Sequence, residues 1–124
     1  MLANTRTTTP QTLLNDVAPM LPGGFRFVTV TCMDGADGHD LIYHFDKNYQ
    51  LHNLRMTLPR GTTLPSISHI YTAALLVENE LKDLFGLTVD GLVIDFQSRL
   101  LLAEGAPTAP QNKAAAPAVA GGAN

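Results

Sequence analysis

The sequence contains one cysteine and no tryptophan in 124 residues. A single thiol, Cys32, cannot form an internal disulfide or supply the several thiolates of an iron–sulfur cluster. The eight Lys and Arg residues are scattered singly, so no basic stripe is present to neutralise nucleic-acid phosphates. No apolar run approaches the roughly 20 residues of a membrane-spanning helix, and the N-terminus lacks the apolar core of a signal peptide. We therefore expect a cytoplasmic chain that binds no nucleic acid.

Sequence motifs for phosphate binding and nucleophilic catalysis are also missing. No GxGxxG, GxxxxGK[ST] or GxSxG string is present. Cys32 has no activating partner nearby in sequence, which favours a buried strand thiol over a reactive one. The sequence therefore predicts no catalytic residue.

Four histidines, at positions 39, 44, 52 and 69, raise the question of a metal site. His44 and His52 fall on neighbouring predicted strands. A two-residue hairpin at Lys47 and Asn48 would pair His44 with Leu51 and place the two imidazoles on opposite faces, whereas a longer or bulged turn would set His44 across from His52. No Cys, Asp or Glu stands at HxH or HExxH spacing to complete a ligand set, so we predict ordinary strand histidines and no metal.

The length suits one domain with a short polar segment before it and a tail after it. We expect residues 1–9 to be loose and residues 10–103 to form the domain. Residues 104–124 consist largely of Ala, Pro and Gly with almost no bulky side chain, which predicts a disordered tail.

The predicted elements of the domain are two helices and a group of strands. Helical spacing of Leu13, Leu14 and Val17 predicts a first helix that starts at Pro10 with Thr9 as its cap. Runs rich in β-branched and aromatic residues predict strands over 25–33, 39–45 and 49–58, followed by a loop over 59–66, a helix over 70–85 and one or two short strands about Asp90. These elements predict an α+β fold with a mainly antiparallel sheet and two main helices.

The second predicted helix is the longest in the chain and carries three acidic residues, Glu78, Glu80 and Asp83. Its apolar stripe runs through Ile70, Ala74, Val77, Leu81 and Leu84; Ser66 or Ser68 is expected to cap its start, and Gly86 to end it. The spacing of Glu78 and Lys82 favours a surface ion pair. Two interpretations of the acids stay open here: a solvated helix face, or a docking surface to which Leu76 and Phe85 add apolar area.

The run from Leu64 to Val89, LPSISHIYTAALLVENELKDLFGLTV, resembles the signature of the 30 kDa subunit family of respiratory complex I, the NADH-quinone oxidoreductase. The matching positions are Pro65, Ser66, Ile67, Ile70, Tyr71, Ala73, Ala74, Glu78, Glu80, Asp83, Leu84, Phe85, Gly86 and Leu87. The resemblance covers roughly Phe25 to Leu102.

Three departures from the family pattern make the chain most similar to the compact homologue in Ech-type energy-converting [NiFe] hydrogenases. Asn79 stands where the family usually has Arg, Leu76 where it often has Trp, and DGLVIDFQSRLLL replaces the usual Gly-His-Pro run. The resemblance implies a non-catalytic subunit of such a hydrogenase, or of a related complex I-like NADH:quinone oxidoreductase. It further implies that this subunit packs on the large catalytic subunit near the iron–sulfur small subunit. It also implies that the iron–sulfur clusters and the nickel–iron site belong to those partners, and that the complex lies on the inner face of the plasma membrane.

On this resemblance we predict that Glu78, Glu80, Asp83, Phe85 and Gly86 dock the chain onto its partner. Two other classes of function remain open. A free-standing interaction or regulatory module of similar fold would be monodisperse alone, without a large exposed apolar patch. A small metal-dependent hydrolase would require His44 and His52 on one face beside a carboxylate.

Overall fold

The structure, a computed structural model, describes residues 4–94. The elements, in chain order, are β1 (Thr5–Thr7), α1 (Leu13–Val17), β2 (Arg26–Asp34), β3 (Gly38–Lys47), β4 (Gln50–Pro59), β5 (Leu64–Pro65), α2 (Ala74–Phe85) and β6 (Val89–Asp90). A 3₁₀ turn, Ala18–Met20, extends α1. The predicted tail over 104–124 and the end of the predicted domain lie outside the described residues.

The main sheet has the strand order β1-β4-β3-β2, and β2, β3 and β4 form the predicted antiparallel meander. The predicted α+β class, with two helices and a mainly antiparallel sheet, is confirmed. Two short strand pairs differ from the prediction. β1 pairs in parallel with the free edge of β4, although its segment was expected to be loose, and β5 pairs in parallel with β6, although it was expected to be a loop. Both pairings satisfy backbone groups that the sheet edges would otherwise leave open.

The hairpin between β3 and β4 turns at Asn48 and Tyr49, one residue later than predicted. Both residues have positive φ, 53° and 65°, as a two-residue hairpin turn of type I′ requires. Lys47 therefore pairs with Gln50, and His44 pairs with Asn53 instead of Leu51. The register shifts by two positions along β4, so the prediction that His44 and His52 lie on opposite faces is confirmed.

The side-chain alternation of β2 is broken at Val28. Regular alternation along the predicted strand over 25–33 places Val28, Val30 and Cys32 on one face, but the pairing of β2 with β3 shifts between Phe27 and Thr29. This β-bulge turns Phe27 and Val30 to the same side, where both are buried, and leaves Val28 exposed. The prediction of one regular face was therefore wrong at this position.

Both helices begin later than predicted. α1 begins at Leu13, and Thr9 joins a turn with Thr12 ahead of it. α2 begins at Ala74 without a side-chain cap, because the preceding residues form turns in which the N–H groups of Ile70 and Tyr71 bond to the carbonyl of Ile67. Its end is as predicted.

One layer of apolar side chains lies between the sheet and the helices. It includes Leu13, Val17, Phe27, Leu41, Tyr43, Phe45, Leu54, Met56, Leu58, Ile67, Tyr71 and Leu81. Phe45 is central, with its ring centroid 5.8 Å from Phe27 and 5.5 Å from Tyr71. The Tyr71 hydroxyl donates to the Phe25 carbonyl (2.6 Å), and this hydrogen bond links the turns before α2 to the residue before β2. Among residues 4–94, no helix has the length and apolar character needed to cross a membrane.

Candidate docking helix and its buried support

The five predicted docking residues do not share one surface. Glu78 and Asp83 are fully buried, Glu80 and Phe85 are half-buried, and Gly86 is exposed. The expectation of one exposed acidic face is therefore wrong for Glu78 and Asp83, since neither carboxylate reaches the surface. The docking role of Glu80, Phe85 and Gly86 stays a prediction.

Glu78 is bonded to the chain segment that precedes α2. The Ser66 hydroxyl donates to Oε1 of Glu78 (2.6 Å), and the Ile67 N–H donates to Oε2 (2.8 Å). These bonds replace the predicted surface ion pair with Lys82, which was wrong. They also explain why Ser66 does not cap α2, because its hydroxyl donates to the Glu78 carboxylate.

Ser68 extends this network to the end of the described chain. Its N–H donates to the Ser66 oxygen (3.0 Å), and the two serine hydroxyls lie 2.7 Å apart. The Val93 N–H donates to the Ser68 oxygen (3.1 Å). These hydrogen bonds join the segment of Ser66 and Ser68 to Glu78 on α2 and to Val93. Loss of a partner would leave a polar group without its hydrogen bond and destabilise the fold.

The electrostatic setting of Glu78 is that of a buried acid with few partners. Burial raises the pKa of Glu78 to about 7, and the hydrogen bonds from Ser66 and Ile67 oppose that rise. Burial also raises the pKa of the Tyr43 hydroxyl, and the charge of Glu78 adds to the effect. Among the described residues that hydroxyl has no hydrogen-bond partner. The interior beneath α2 therefore holds an acid whose charge depends on pH near neutrality.

Asn79, where the family usually has Arg, links α2 to Ile94. Its side-chain amide donates to the carbonyls of Leu75 (2.9 Å) and Ile94 (3.0 Å), and the residue is buried. A short amide suits this role because it reaches carbonyls on the adjacent turn and carries no charge into the interior.

The C-terminal end of α2 packs against a buried ionic cluster on the sheet. Gly86 ends the helix with φ 72°, as predicted, and its N–H donates to the Lys82 carbonyl (3.1 Å). The Phe85 and His39 rings are nearly perpendicular (87°), with centroids 6.1 Å apart. His39 Nε2 and Arg60 Nη2 lie 2.8 Å and 3.0 Å from the same oxygen of Asp34.

This cluster holds a neutral histidine beside a paired carboxylate. Burial lowers the pKa of His39; Asp34 acts against that shift and Arg60 adds to it. Arg60 also donates to the carbonyls of Ala36 and Gly35, which ties the β2–β3 turn to the end of β4. Phe85 therefore contacts this cluster through His39, and its half-buried ring packs against the hydrophobic core.

The outward side of α2 is apolar near its start. Leu76 is 56% exposed, and Val93 and Ile94 are 57% and 51% exposed. The hydrogen bond from Asn79 to the Ile94 carbonyl brings the end of the described chain to the middle of α2. We call the three exposed side chains of Leu76, Val93 and Ile94 the apolar patch. The sequence pattern identified Leu76 as apolar docking area but gave no sign of Val93 and Ile94.

The histidines considered for a metal site have other contacts. His44 lies between Thr31 (2.8 Å from Nε2) and Asn53 (2.7 Å from Nδ1), whereas His52 faces the Phe25 ring at 5.0 Å. Within residues 4–94 no group of three His, Cys, Asp or Glu side chains is placed to hold a metal ion. The hydrolase interpretation required both imidazoles on one face, which this geometry does not provide.

Comparison with known proteins agrees with the resemblance seen in the sequence. The family model described as the 30 Kd subunit of the respiratory-chain NADH dehydrogenase matches residues 7–118. A curated relative, an NADH-quinone oxidoreductase subunit from Jannaschia sp. (strain CCS1), is 39% identical over 54 residues, which make up 42% of this chain and 26% of the relative. The match thus spans about a quarter of the relative's length.

A solved structure shares the fold. It is a chain of the membrane-bound sulfane sulfur reductase, an archaeal respiratory membrane complex, with a TM-score of 0.71 and 18% identity. The similarity covers 86% of the present chain and 65% of that one. At this identity the match demonstrates a common fold.

Proposed function

The chain belongs to the 30 Kd subunit family of the respiratory-chain NADH dehydrogenase, and on this premise we propose that it is a non-catalytic docking subunit of a respiratory membrane complex. The observation that carries the proposal is that α2 exposes a leucine although it buries three polar side chains. The helix buries Glu78, Asn79 and Asp83 while Leu76 remains mostly exposed. The exposed leucine, together with the exposed Val93 and Ile94, is explained if another polypeptide covers this side of the molecule.

The apolar patch of Leu76, Val93 and Ile94 is the proposed contact. Its centre is apolar and the half-buried carboxylate of Glu80 follows it along α2, as in protein interfaces with an apolar core and a polar rim. The Ser66, Ser68 and Glu78 network fixes both segments of the patch in the free chain. A surface that is already ordered loses little conformational entropy on binding.

The finer assignment is a subunit of an Ech-type energy-converting [NiFe] hydrogenase that packs on the large catalytic subunit beside the iron–sulfur small subunit. Iron–sulfur clusters and the nickel–iron site would then reside in those partners. The fold shared with a chain of a respiratory membrane complex supports a location at the inner face of the plasma membrane through the assembly. A complex I-like NADH:quinone oxidoreductase is the related second candidate, favoured by the named curated relative.

The test is co-expression with the large hydrogenase subunit of the same organism. Leu76→Asp should weaken the complex by about 2 kcal/mol, or roughly thirtyfold, because it removes an apolar contact and buries a charge. Met33→Asp is the matched control, since Met33 is 50% exposed but lies on β2 outside the patch. Glu80→Ala should weaken binding less, as expected for a rim carboxylate. Equal affinity of the Leu76 and Met33 variants would contradict the proposed contact.

A second measurement tests the non-catalytic assignment. Metal analysis should find nickel and iron in the assembled complex and none in the purified chain. A stoichiometric metal in the purified chain, or turnover of a substrate without a companion subunit, would overturn the proposal. Association with a quinone-reducing complex in place of the nickel subunit would favour the second candidate.

A further inference from the structure

The turn between β3 and β4 carries an aromatic side chain in a conformation that suits glycine. Tyr49 has φ 65°, in the left-handed region that bulky residues rarely adopt. The second position of a type I′ turn after Asn48 is one that glycine fills best. The Tyr49 side chain is also fully exposed, at 101% of the reference value, so it contributes no packing within the chain. Neither local stability nor the core accounts for a tyrosine here.

The strand ends beside Tyr49 carry one more exposed apolar side chain and two cations, with Asp46 paired between Arg26 and Leu51. Leu51, two residues further on, is a second exposed apolar side chain. Arg26 is exposed and bonds to Asp46 (3.1 Å), and the Lys47 ammonium lies 4.9 Å from the centre of the Phe25 ring. We call Arg26, Lys47, Tyr49 and Leu51 the hairpin tip.

Carboxylates are scarce in the sequence around the hairpin tip. Asp46, the acid next to Lys47, is already paired with Arg26, and positions 47–77 contain neither Asp nor Glu. The two cations Arg26 and Lys47 outnumber the one carboxylate of Asp46, so the tip is locally positive on a chain whose formal net charge is −3. Such a local reversal of sign favours an acidic partner surface.

From this arrangement we propose that the hairpin tip is a second docking surface, on which Tyr49 enters an apolar pocket of a partner protein whose rim carries carboxylates. The inference rests on the proposed function, which supplies the partner. Tyrosine is among the residues that dominate binding energy when they are buried at the centre of an interface. An anionic membrane is less favoured, because lipid-binding surfaces carry clusters of about four to eight Lys and Arg residues and the tip has only Arg26 and Lys47.

The experiment uses the full chain co-expressed with the large hydrogenase subunit. Tyr49→Gly should lower the affinity at least roughly tenfold. The same variant should unfold at an equal or higher temperature in isolation, because Asn-Gly is the preferred pair in this turn. Loss of binding without loss of stability is a result that a merely structural role cannot produce. Tyr49→Phe should retain most of the affinity, and Met33→Ala should bind like the unmodified chain.

The charge of the rim is tested separately. Lys47→Glu should slow association with the large subunit at low salt, and the difference should shrink at high salt. Equal association rates across salt concentrations would overturn the acidic character assigned to the partner.

The outcomes separate this inference from the proposed function. If Leu76→Asp weakens the complex and Tyr49→Gly does not, the second surface is overturned and the proposed function stands. If the unmodified chain fails to bind, both are overturned. If Tyr49→Gly abolishes sedimentation with phosphatidylserine-containing vesicles but leaves binding to the large subunit intact, the tip contacts lipid and the inference is wrong.

Discussion

Replacing Glu78 with glutamine should change how the stability of the chain depends on pH. The pKa of Glu78 is raised from 4.5 to about 7 in the folded chain. The folded state therefore binds this proton more tightly than the unfolded state between those two values. The free energy of unfolding should fall as pH rises from 4.5 to 7 by about 3 kcal/mol from this group, and should be constant above it.

Glu78→Gln removes the titration and keeps the shape of the side chain. The glutamine oxygen can still accept from the Ile67 N–H, and rearrangement at Ser66 adds an offset that does not vary with pH. The stability of the variant relative to the unmodified chain should therefore increase by about 3 kcal/mol between pH 4.5 and pH 8. The lowered pKa of His39 makes the free energy of unfolding rise with pH in the range below 6.5, which is opposite to the effect of Glu78. His39 is present in both proteins, so its contribution cancels in the comparison.

Urea denaturation of both proteins at several pH values measures this difference directly. Glu80→Gln is the matched control, since it makes the same substitution at a half-buried position on the same helix. A difference between Glu78→Gln and the unmodified chain that stays constant within about 1 kcal/mol across the range would refute the assignment of Glu78 as a buried, titrating acid.

Two further predictions concern the thiol and the end of α2. Burial, with smaller contributions from Asp34 and Asp40, raises the pKa of Cys32 from 9.0 to about 12. Alkylation of this thiol by iodoacetamide at pH 8 should therefore be about a thousandfold slower in the folded chain than in urea. Equal alkylation rates in the two conditions would contradict this prediction. Gly86→Ala should lower the free energy of unfolding by about 1 kcal/mol and the melting temperature by roughly 4–8 °C, because φ at this position is 72°. An unchanged melting temperature would show that the helix end relaxes without strain.

The parts of the fold that were predicted correctly have strong local signals. The three long strands contain runs of β-branched and aromatic residues, and Gly86 follows a helix that has no internal Gly or Pro. β1 and β5, which were not predicted, are only two or three residues long, so they have no periodicity of their own and exist through pairing with distant strands. The bulge at Val28 is likewise set by packing of Phe27 and Val30 and not by local sequence.

The candidate site was predicted only in part. Leu76 is exposed as expected, but the cluster of acidic residues was interpreted as an exposed face, and Glu78 and Asp83 are buried. Glu78 lies four residues after Ala74 and three before Leu81, on the same apolar stripe that the helical spacing assigned to the core. That spacing was the available signal for its burial. The partners that make burial possible, Ser66 and Ile67, precede the helix and reach Glu78 only through the turns that delay its start.

In the proposed complex, two buried residues of α2 act on the docking surface indirectly. Glu78 and Asn79 hold the segments on either side of the helix, and this fixes Leu76 and Ile94 in one outward-facing patch. A substitution at a buried position such as Glu78 should then lower both the stability of the chain and its affinity for the partner, because it disorders the patch. A substitution in the patch should lower the affinity and leave the stability unchanged. Comparing the binding loss with the stability loss for Glu78→Ala and Leu76→Asp distinguishes the two: the first should lower both quantities and the second only binding. Loss of binding in Glu78→Ala at unchanged stability would instead mean that Glu78 contacts the partner directly, in a conformation in which its carboxylate has left Ser66 and Ile67.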